Sequence, residues 1–262
     1  MNASELRSML EFSLDAVWQA GRITLGYFQR QPAVERKGDN SPVTIADRES
    51  EQKLRELIGR YYPDHGLIGE EYGRQAGAGR LTWIIDPIDG TKSFVAGVPL
   101  YGCLLALVDG DPAQQAAPLL GVAHFPALNE TVYAARGEGC YWNGRRARVS
   151  SVASLSDAAL MMSDIGGWEQ YGKAEVWQTL VNSTYIQRTW GDSYGYALVA
   201  TGRADVMLDA RMEVWDCGPF QTIMEEAGGT FTDWQGTPTI YAGEAIGTNG
   251  ALFDQVMKIV RS

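Results

Sequence analysis

The sequence predicts an α+β fold in which helices and sheets stack in layers. Two amphipathic helical patterns open the chain, and short apolar strand patterns fill the region up to about residue 150. Beyond that point strand and helix patterns alternate, as they do in α/β proteins. We therefore expect an α+β half over residues 1–150 and an α/β half over residues 151–262. No long linker separates them, so we expect one compact unit.

The two opening helices are indicated by the spacing of their apolar residues. Large apolar side chains recur three or four positions apart in each, and Pro63 ends the second pattern. Thr44 and Asp47 are both suited to the start of the second helix. The apolar positions are Leu6, Leu10, Leu14, Val17 and Trp18 in the first helix, and Leu54, Leu57, Ile58 and Tyr61 in the second.

Short apolar runs bounded by glycine, proline or aspartate predict the strands. The Asn143-Gly144 pair adds a hairpin turn. The predicted strands are 66–69, 81–85, 104–108, 119–125, 131–135, 159–162, 204–208 and 229–233. The helices predicted in the second half are 169–181, 193–201, 216–227 and 251–260.

Composition argues against several classes of protein. The 22 Lys+Arg and 32 Asp+Glu residues give a net charge of −10, which opposes binding to nucleic acid or to an anionic membrane. The N-terminal segment carries acidic residues within its apolar pattern, so it resembles neither a signal peptide nor a membrane span. The three cysteines are far apart and form no Cys-x-x-Cys pair, which favours a reduced, cytoplasmic protein.

The densest group of chemically suggestive residues follows the strand predicted at 81–85. Asp86 and Asp89 flank Pro87, and Gly90 allows the main chain to approach an anion closely. Such a loop suits a metal-bound phosphate. Asp-Pro and Asp-Gly are also common turn dipeptides, so the motif alone is about equally compatible with a simple turn.

Further acidic motifs favour the metal interpretation. Glu70 and Glu71 directly follow a predicted strand, and Asp216 follows Trp215, where it could otherwise cap a helix. Oxygen ligands favour Mg²⁺ or Mn²⁺ over zinc. The sequence contains no Asp-x-Asp-x-Thr, Cys-x5-Arg or Gly-x-Ser-x-Gly motif, which argues against a covalent protein nucleophile.

Taken together, these motifs resemble the inositol monophosphatase superfamily. The matching segments are Gly-Glu-Glu at Glu70, Asp86 to Thr91, and Trp215-Asp216, and the resemblance extends over nearly the whole chain. It implies a layered αβαβα sandwich of the inositol monophosphatase and fructose-1,6-bisphosphatase type. It also implies a phosphatase that binds two or three Mg²⁺ ions, with Mn²⁺ as a substitute.

The resemblance also assigns residues to roles. Thr91 and Asp47 would orient an attacking water, with Glu70 as a third catalytic residue, and the amides of Gly90 and Thr91 would hold the phosphate. A homodimer is expected from the resemblance alone. The implied metal ligands are Glu70, Asp86, the carbonyl of Ile88, Asp89 and Asp216.

The segments 91–94 and 188–196 look more like the histidinol-phosphate phosphatase branch. This implies hydrolysis of L-histidinol phosphate, a small metabolite of histidine biosynthesis. Asp192 would then pair with the substrate ammonium, although it could instead cap the helix predicted from 193. Further candidates for the substrate end are Asp209, Arg211 and Glu213. The alternatives are an inositol-1-phosphate or other small-metabolite monophosphatase, a phosphonucleotide phosphatase, and a non-catalytic binding protein with this fold.

Overall fold

The computed structural model describes residues 2–38 and 40–262. The α-helices in these ranges are α1 (Ala3–Tyr27), α2 (Ile45–Tyr61), α3 (Thr91–Val95), α4 (Ala174–Ser183), α5 (Asp192–Ala200), α6 (Val214–Cys217), α7 (Phe220–Glu226) and α8 (Phe253–Val260). None of the helices in this described part of the chain has the length and apolarity that a membrane span requires.

The strands of the described residues form two large sheets and one separate two-stranded hairpin. The strands are β1 (Val34–Arg36), β2 (Pro42–Thr44), β3 (Gly66–Gly69), β4 (Gly73–Gln75), β5 (Leu81–Asp89), β6 (Gly102–Asp109), β7 (Ala117–Phe125), β8 (Glu130–Ala135), β9 (Gly139–Trp142), β10 (Arg145–Arg146), β11 (Ala159–Met162), β12 (Ile186–Arg188), β13 (Val206–Asp209), β14 (Thr230–Thr232) and β15 (Ala245–Thr248).

The order of the strands defines the two sheets. The eight-stranded sheet runs β10-β9-β8-β7-β6-β5-β3-β4, and the five-stranded sheet runs β12-β11-β13-β15-β14. Neighbours in the larger sheet are antiparallel except that β3 runs parallel to β5. In the smaller sheet, β11 is parallel to both of its neighbours.

Helices cover both faces of each sheet, which gives five layers in the order αβαβα. Helices α1 and α2 pack on one face of the larger sheet. Helices α5 and α7 lie between the two sheets, and α4 and α8 cover the outer face of the smaller sheet. The predicted sandwich is therefore confirmed. The boundary near residue 150 stays a prediction.

Burial on both faces explains why the central strands have continuous apolar sequences. In β6, Leu105 and Leu107 face α1 and α2, whereas Leu104, Ala106 and Val108 face the helix layer between the sheets. Successive side chains of a strand point to opposite faces, so a strand covered on both sides needs an apolar residue at every position.

The predicted elements agree with the structure except in their boundaries and in several short segments. The Asn143-Gly144 hairpin is confirmed between β9 and β10. The helix predicted over 216–227 is wrong as one element, because it divides into α6 and α7 at Gly218 and Pro219. Proline cannot donate a backbone hydrogen bond within a helix, which explains the break. The helix predicted from residue 169 begins only at Ala174.

Candidate active site

The end of β5 brings two aspartates of the Asp-Pro-Ile-Asp motif to the same side. Residues three apart on a regular strand face opposite sides. Here Asp86 pairs with Leu104, and Asp89 pairs with Gly102. An advance of three residues along β5 therefore matches an advance of two residues along β6, which means that β5 contains a bulge. The carboxylate oxygens of Asp86, Asp89 and Asp216 consequently lie within 4.8 Å of one another.

Asp216 reaches this cluster from α6, which packs against β5 and β6. The approach is close, because a Cβ atom added to Gly218 would lie 3.2 Å from the Ala106 side chain. Asp216 Oδ2 also accepts the backbone N–H of Glu213 at 2.8 Å. The sequence offered helix capping as an alternative to metal binding for Asp216. In the structure Asp216 makes a hydrogen bond at the start of α6 and also lies among the clustered acids.

Glu70 follows β3, and the parallel pairing of β3 with β5 places it beside the same cluster. Its N–H donates to the carbonyl of Ile85 at 3.3 Å. The Lys37 ammonium donates to Glu70 and to Glu71, each at 2.6 Å. Burial lowers the pKa of Lys37, but these two bonds outweigh it and leave the pKa above its usual value.

The clustered carboxylates raise one another's pKa. Burial raises the pKa of Asp86 well above its usual value, and the charges of Glu70, Asp89 and Asp216 raise it further. Burial, followed by the charge of Asp192, raises the pKa of Asp89 to about 7. A buried set of oxygen donors with this much negative charge fits a hard divalent cation, which would offset the repulsion.

Thr91 and Asp47 form a hydrogen-bonded pair beside the cluster. Thr91 Oγ1 lies 3.3 Å from Asp47 Oδ1 and 3.0 Å from the carbonyl of Ile88. Asp47 Oδ2 accepts the N–H of Thr44 at 2.8 Å and its hydroxyl at 2.6 Å, in a capping box at the start of α2. Both residues proposed for the start of this helix take part in it.

Gly90 connects the bulge to the short helix α3. It adopts the left-handed conformation, with φ 76°, which glycine reaches without steric cost. A Cβ atom at this position would also lie 3.0 Å from Asp192 Oδ2. The loop therefore needs glycine for its backbone, and it lies against the Asp192 carboxylate.

Asp192 is the first residue of α5, but its side chain does not cap the helix. The N-cap position is Gly191, which has no side chain to cap the helix, and the N–H of Asp192 itself donates to Ser163 Oγ at 2.7 Å. The N–H of Ser193 donates to Asp89 Oδ2 at 2.6 Å instead. The capping alternative for Asp192 is therefore wrong. Burial, followed by the charge of Asp209, raises the pKa of Asp192 to about 6.

These residues open into a cleft of about 1240 Å³. Asp209 lines it, and its Oδ2 is buried without a partner among the described residues. Burial raises the pKa of Asp209 to about 7. Arg211 and Glu213 lie at the rim, 3.8 Å apart, with side chains 58% and 51% exposed. The structure thus brings the predicted substrate-end residues to one cleft.

Several residues of the cleft were not assigned to the site from sequence. They include Lys37, Lys92, Ser163, Trp168 and Tyr171. A lysine 33 positions before its carboxylate partner gives no local signal. Trp168 stacks on Trp177 with ring centroids 4.8 Å apart. In the sequence, such a tryptophan looks like an ordinary core residue.

Comparisons with known proteins agree with this fold and this site. The Inositol monophosphatase family model matches residues 5–262. The histidinol-phosphatase of Chlorobaculum parvum is 41% identical over 244 residues, 90% of each chain, and that of Mycobacterium tuberculosis is 38% identical over 229 residues, 86% of each. The solved structure of a Thermotoga maritima IMPase has a TM-score of 0.87 and 32% identity, over 97% of each chain.

The fold and these relatives define the protein as a phosphatase. More particularly, the chain belongs to the inositol monophosphatase family.

Proposed function

We propose that this phosphatase hydrolyses L-histidinol phosphate to L-histidinol and inorganic phosphate, in histidine biosynthesis. Three relatives named histidinol-phosphatase, 36 to 41% identical, support the assignment. The observation that carries it is the pair of acidic residues beyond the phosphate loop, Asp192 and Asp209, which both line the cleft. The cytoplasmic location and the homodimer stay predictions.

The metal in this proposal is Mg²⁺, two or three ions per site, with Mn²⁺ as a substitute. The carboxylates of Glu70, Asp86, Asp89 and Asp216, with the carbonyl of Ile88, would hold the ions. Bound there, Mg²⁺ would supply a Lewis acid for the phosphate and a water of lowered pKa. The buried acids fit this role because an all-carboxylate donor set is what hard cations prefer.

Thr91 and Asp47 would position the attacking water. A threonine hydroxyl has one proton, and Asp47 and the Ile88 carbonyl are both within its reach. When the proton points to Asp47, the lone pairs of Thr91 are left to accept a bond from water. Asp47 is held in place by Thr44, so the direction of this acceptor is fixed before substrate binds.

The backbone would hold the phosphate at the start of α3. The first N–H groups of a helix have no partner within the helix, and they attract anions. Gly90 and Thr91 would supply these donors, and the left-handed conformation of Gly90 turns the chain toward the site.

The other end of the cleft would bind the alcohol. Histidinol carries an ammonium group, and a charge-assisted bond to Asp192 or Asp209 would favour it over a neutral polyol. Burial raises the pKa of both carboxyls, to about 6 and about 7, and a bound cation would favour their ionised forms.

The test is phosphate release from histidinol phosphate and from inositol 1-phosphate under identical conditions with Mg²⁺. We expect kcat/KM for histidinol phosphate to be higher by about tenfold or more, the effect of one discriminating charged bond. Equal values, or a preference for inositol 1-phosphate, would transfer the assignment to the alternative sugar-alcohol phosphatase.

A further inference from the structure

A buried carboxylate outside the acidic cluster holds the loop that presents Glu70. This loop joins β3 to β4, and Gly69 pairs with Gly73 at its base. The backbone N–H groups of such a short loop need partners. Glu51 on α2 is the partner of two of these groups. Its Oε2 accepts the N–H of Glu71 at 2.7 Å, and its Oε1 accepts the N–H of Tyr72 at 3.2 Å.

Glu51 is completely buried, and Arg55 on the next turn of α2 compensates its charge. Arg55 Nε lies 2.7 Å from Glu51 Oε1, and its Nη2 donates to the carbonyl of Gly73. The guanidinium also lies over the Tyr72 ring, 5.8 Å from its centroid. Glu51 and Arg55 thus both bind the backbone of this loop, Glu51 through N–H groups and Arg55 through a carbonyl.

Gly69 shows how closely this carboxylate is fitted. A Cβ atom at Gly69 would lie 2.1 Å from Glu51 Oε1, which no real side chain could occupy. The end of β3 therefore has a glycine where the Glu51 carboxylate packs against the backbone.

The same face of α2 carries a residue of the water-orienting pair. Asp47, Glu51 and Arg55 are spaced four residues apart, so they lie along one side of the helix. Asp47 contacts Thr91, and Glu51 holds the loop of Glu70. One helix therefore fixes the distance between these two parts of the site.

We propose that Glu51 is a positioning residue that fixes Glu70 relative to Asp47 and thereby sets the affinity for the divalent metal. The inference rests on the proposed function, in which Glu70 is a metal ligand. Removal of a group that orients a metal ligand through a hydrogen bond typically lowers metal affinity 10- to 100-fold.

The chain offers a matched control in Glu226. This residue lies at the end of α7 and accepts the N–H groups of Gly137 at 2.7 Å and Gly139 at 2.6 Å. It holds the β8–β9 loop by the same chemistry, and it is not part of the cleft lining among the described residues. Glu226→Gln should therefore cost stability without changing metal affinity.

The experiment is Mn²⁺ binding to the substrate-free protein, followed by electron paramagnetic resonance, for the unaltered chain and for Glu51→Gln and Glu226→Gln. Melting temperatures are measured in parallel. We expect Glu51→Gln to raise the Kd for Mn²⁺ by about tenfold or more, and Glu226→Gln to leave it within about twofold. A Glu51→Gln protein with the unaltered Kd and only a lower melting temperature would overturn the inference.

Two additional outcomes are decisive. If Glu51→Gln does not fold, Arg55→Gln takes its place, and a Kd raised at least threefold supports the inference whereas an unchanged one overturns it. If the unaltered protein binds no Mn²⁺, the metal site of the proposed function fails, and the inference fails with it. Mn²⁺ binding by the unaltered chain distinguishes the two failures. If it binds Mn²⁺ and the variants bind equally well, only the inference about Glu51 fails.

Discussion

Replacement of Asp192 by asparagine tests the proposed recognition of the substrate ammonium. Asp192 has φ 50°, a left-handed conformation that asparagine tolerates better than alanine does. Asp192→Asn therefore removes the charge with little backbone strain. Because the side chain caps no helix end in the described structure, we also expect only a small change in melting temperature.

The expected loss follows from the burial of the carboxyl. A charged hydrogen bond in a partly desolvated site contributes about 1.5 to 3 kcal/mol, which corresponds to about a 10- to 100-fold lower kcat/KM for histidinol phosphate. A simple aryl phosphate has no ammonium, so its kcat/KM should change by less than about threefold. Both substrates are assayed at saturating Mg²⁺, with melting temperatures measured on the same samples.

Asp164→Asn serves as the matched control. Asp164 also lines the cleft, but it is exposed, and its Oδ1 accepts the N–H of Gly166 at 2.9 Å, a bond that asparagine retains. Removal of this exposed charge should change either activity by less than about threefold. Equal losses on both substrates in Asp192→Asn, with a clearly lower melting temperature, would refute the ammonium contact and return Asp192 to a structural role.

Three other perturbations test the metal site and its electrostatics. An excess of chelator should abolish turnover, and Mg²⁺ or Mn²⁺ should restore it; full activity in EDTA would contradict the metal mechanism. Asp89→Asn should lower kcat by about 100-fold or more while the fold persists, because asparagine still accepts the N–H of Ser193 but loses the charge; near-native turnover would leave Asp89 as a turn residue. The free energy of unfolding of the metal-free protein should be lower at pH 8 than at pH 6. The folded state holds a proton on Asp209, whose pKa is about 7, more tightly than the unfolded chain does, and this stabilisation of about 1 kcal/mol is lost as the pH rises through 7. Denaturant titrations of Asp209→Asn should show a smaller difference between the two pH values, and an unchanged difference would contradict the assignment.

The elements that the sequence predicted well are those with strong periodicity or burial on both faces. The long helices α1 and α2 and the central strands of the larger sheet belong to this group. Two of the strands it missed are short and give no apolar pattern. Val34–Arg36 and Gly73–Gln75 are wholly exposed, and their pairing depends on partners that no local signal reveals.

The acidic motifs of the site could be found in the sequence, but their convergence could not. Asp86 and Asp89 face the same side only because β5 contains a bulge, and bulges have no dependable sequence signal. For Glu51, the sequence pattern is misleading. It stands in the polar run Ser50-Glu51-Gln52-Lys53, which reads as a solvated helix face, yet it is completely buried. Only the three-dimensional packing of α2 on the Glu70 loop reveals its contacts with the N–H groups of Glu71 and Tyr72.

The charge of the cleft explains how an acidic protein could select a phosphorylated amine. The chain has a net charge of −10, so a phosphate is attracted only where bound cations outweigh the carboxylates. In the proposed function, Mg²⁺ ions held by Asp86, Asp89 and Asp216 would meet that condition at one end of the cleft. The carboxyls of Asp192 and Asp209 also line the cleft and are not among the proposed metal ligands, so they stay available to a cation at the alcohol end of the substrate. A substrate that is negative at its phosphate and positive at its alcohol end matches both ends of this cleft, whereas a neutral polyol phosphate matches only one. Selectivity should therefore depend on these two residues, while the rate of phosphate release from any substrate should depend on the metal cluster.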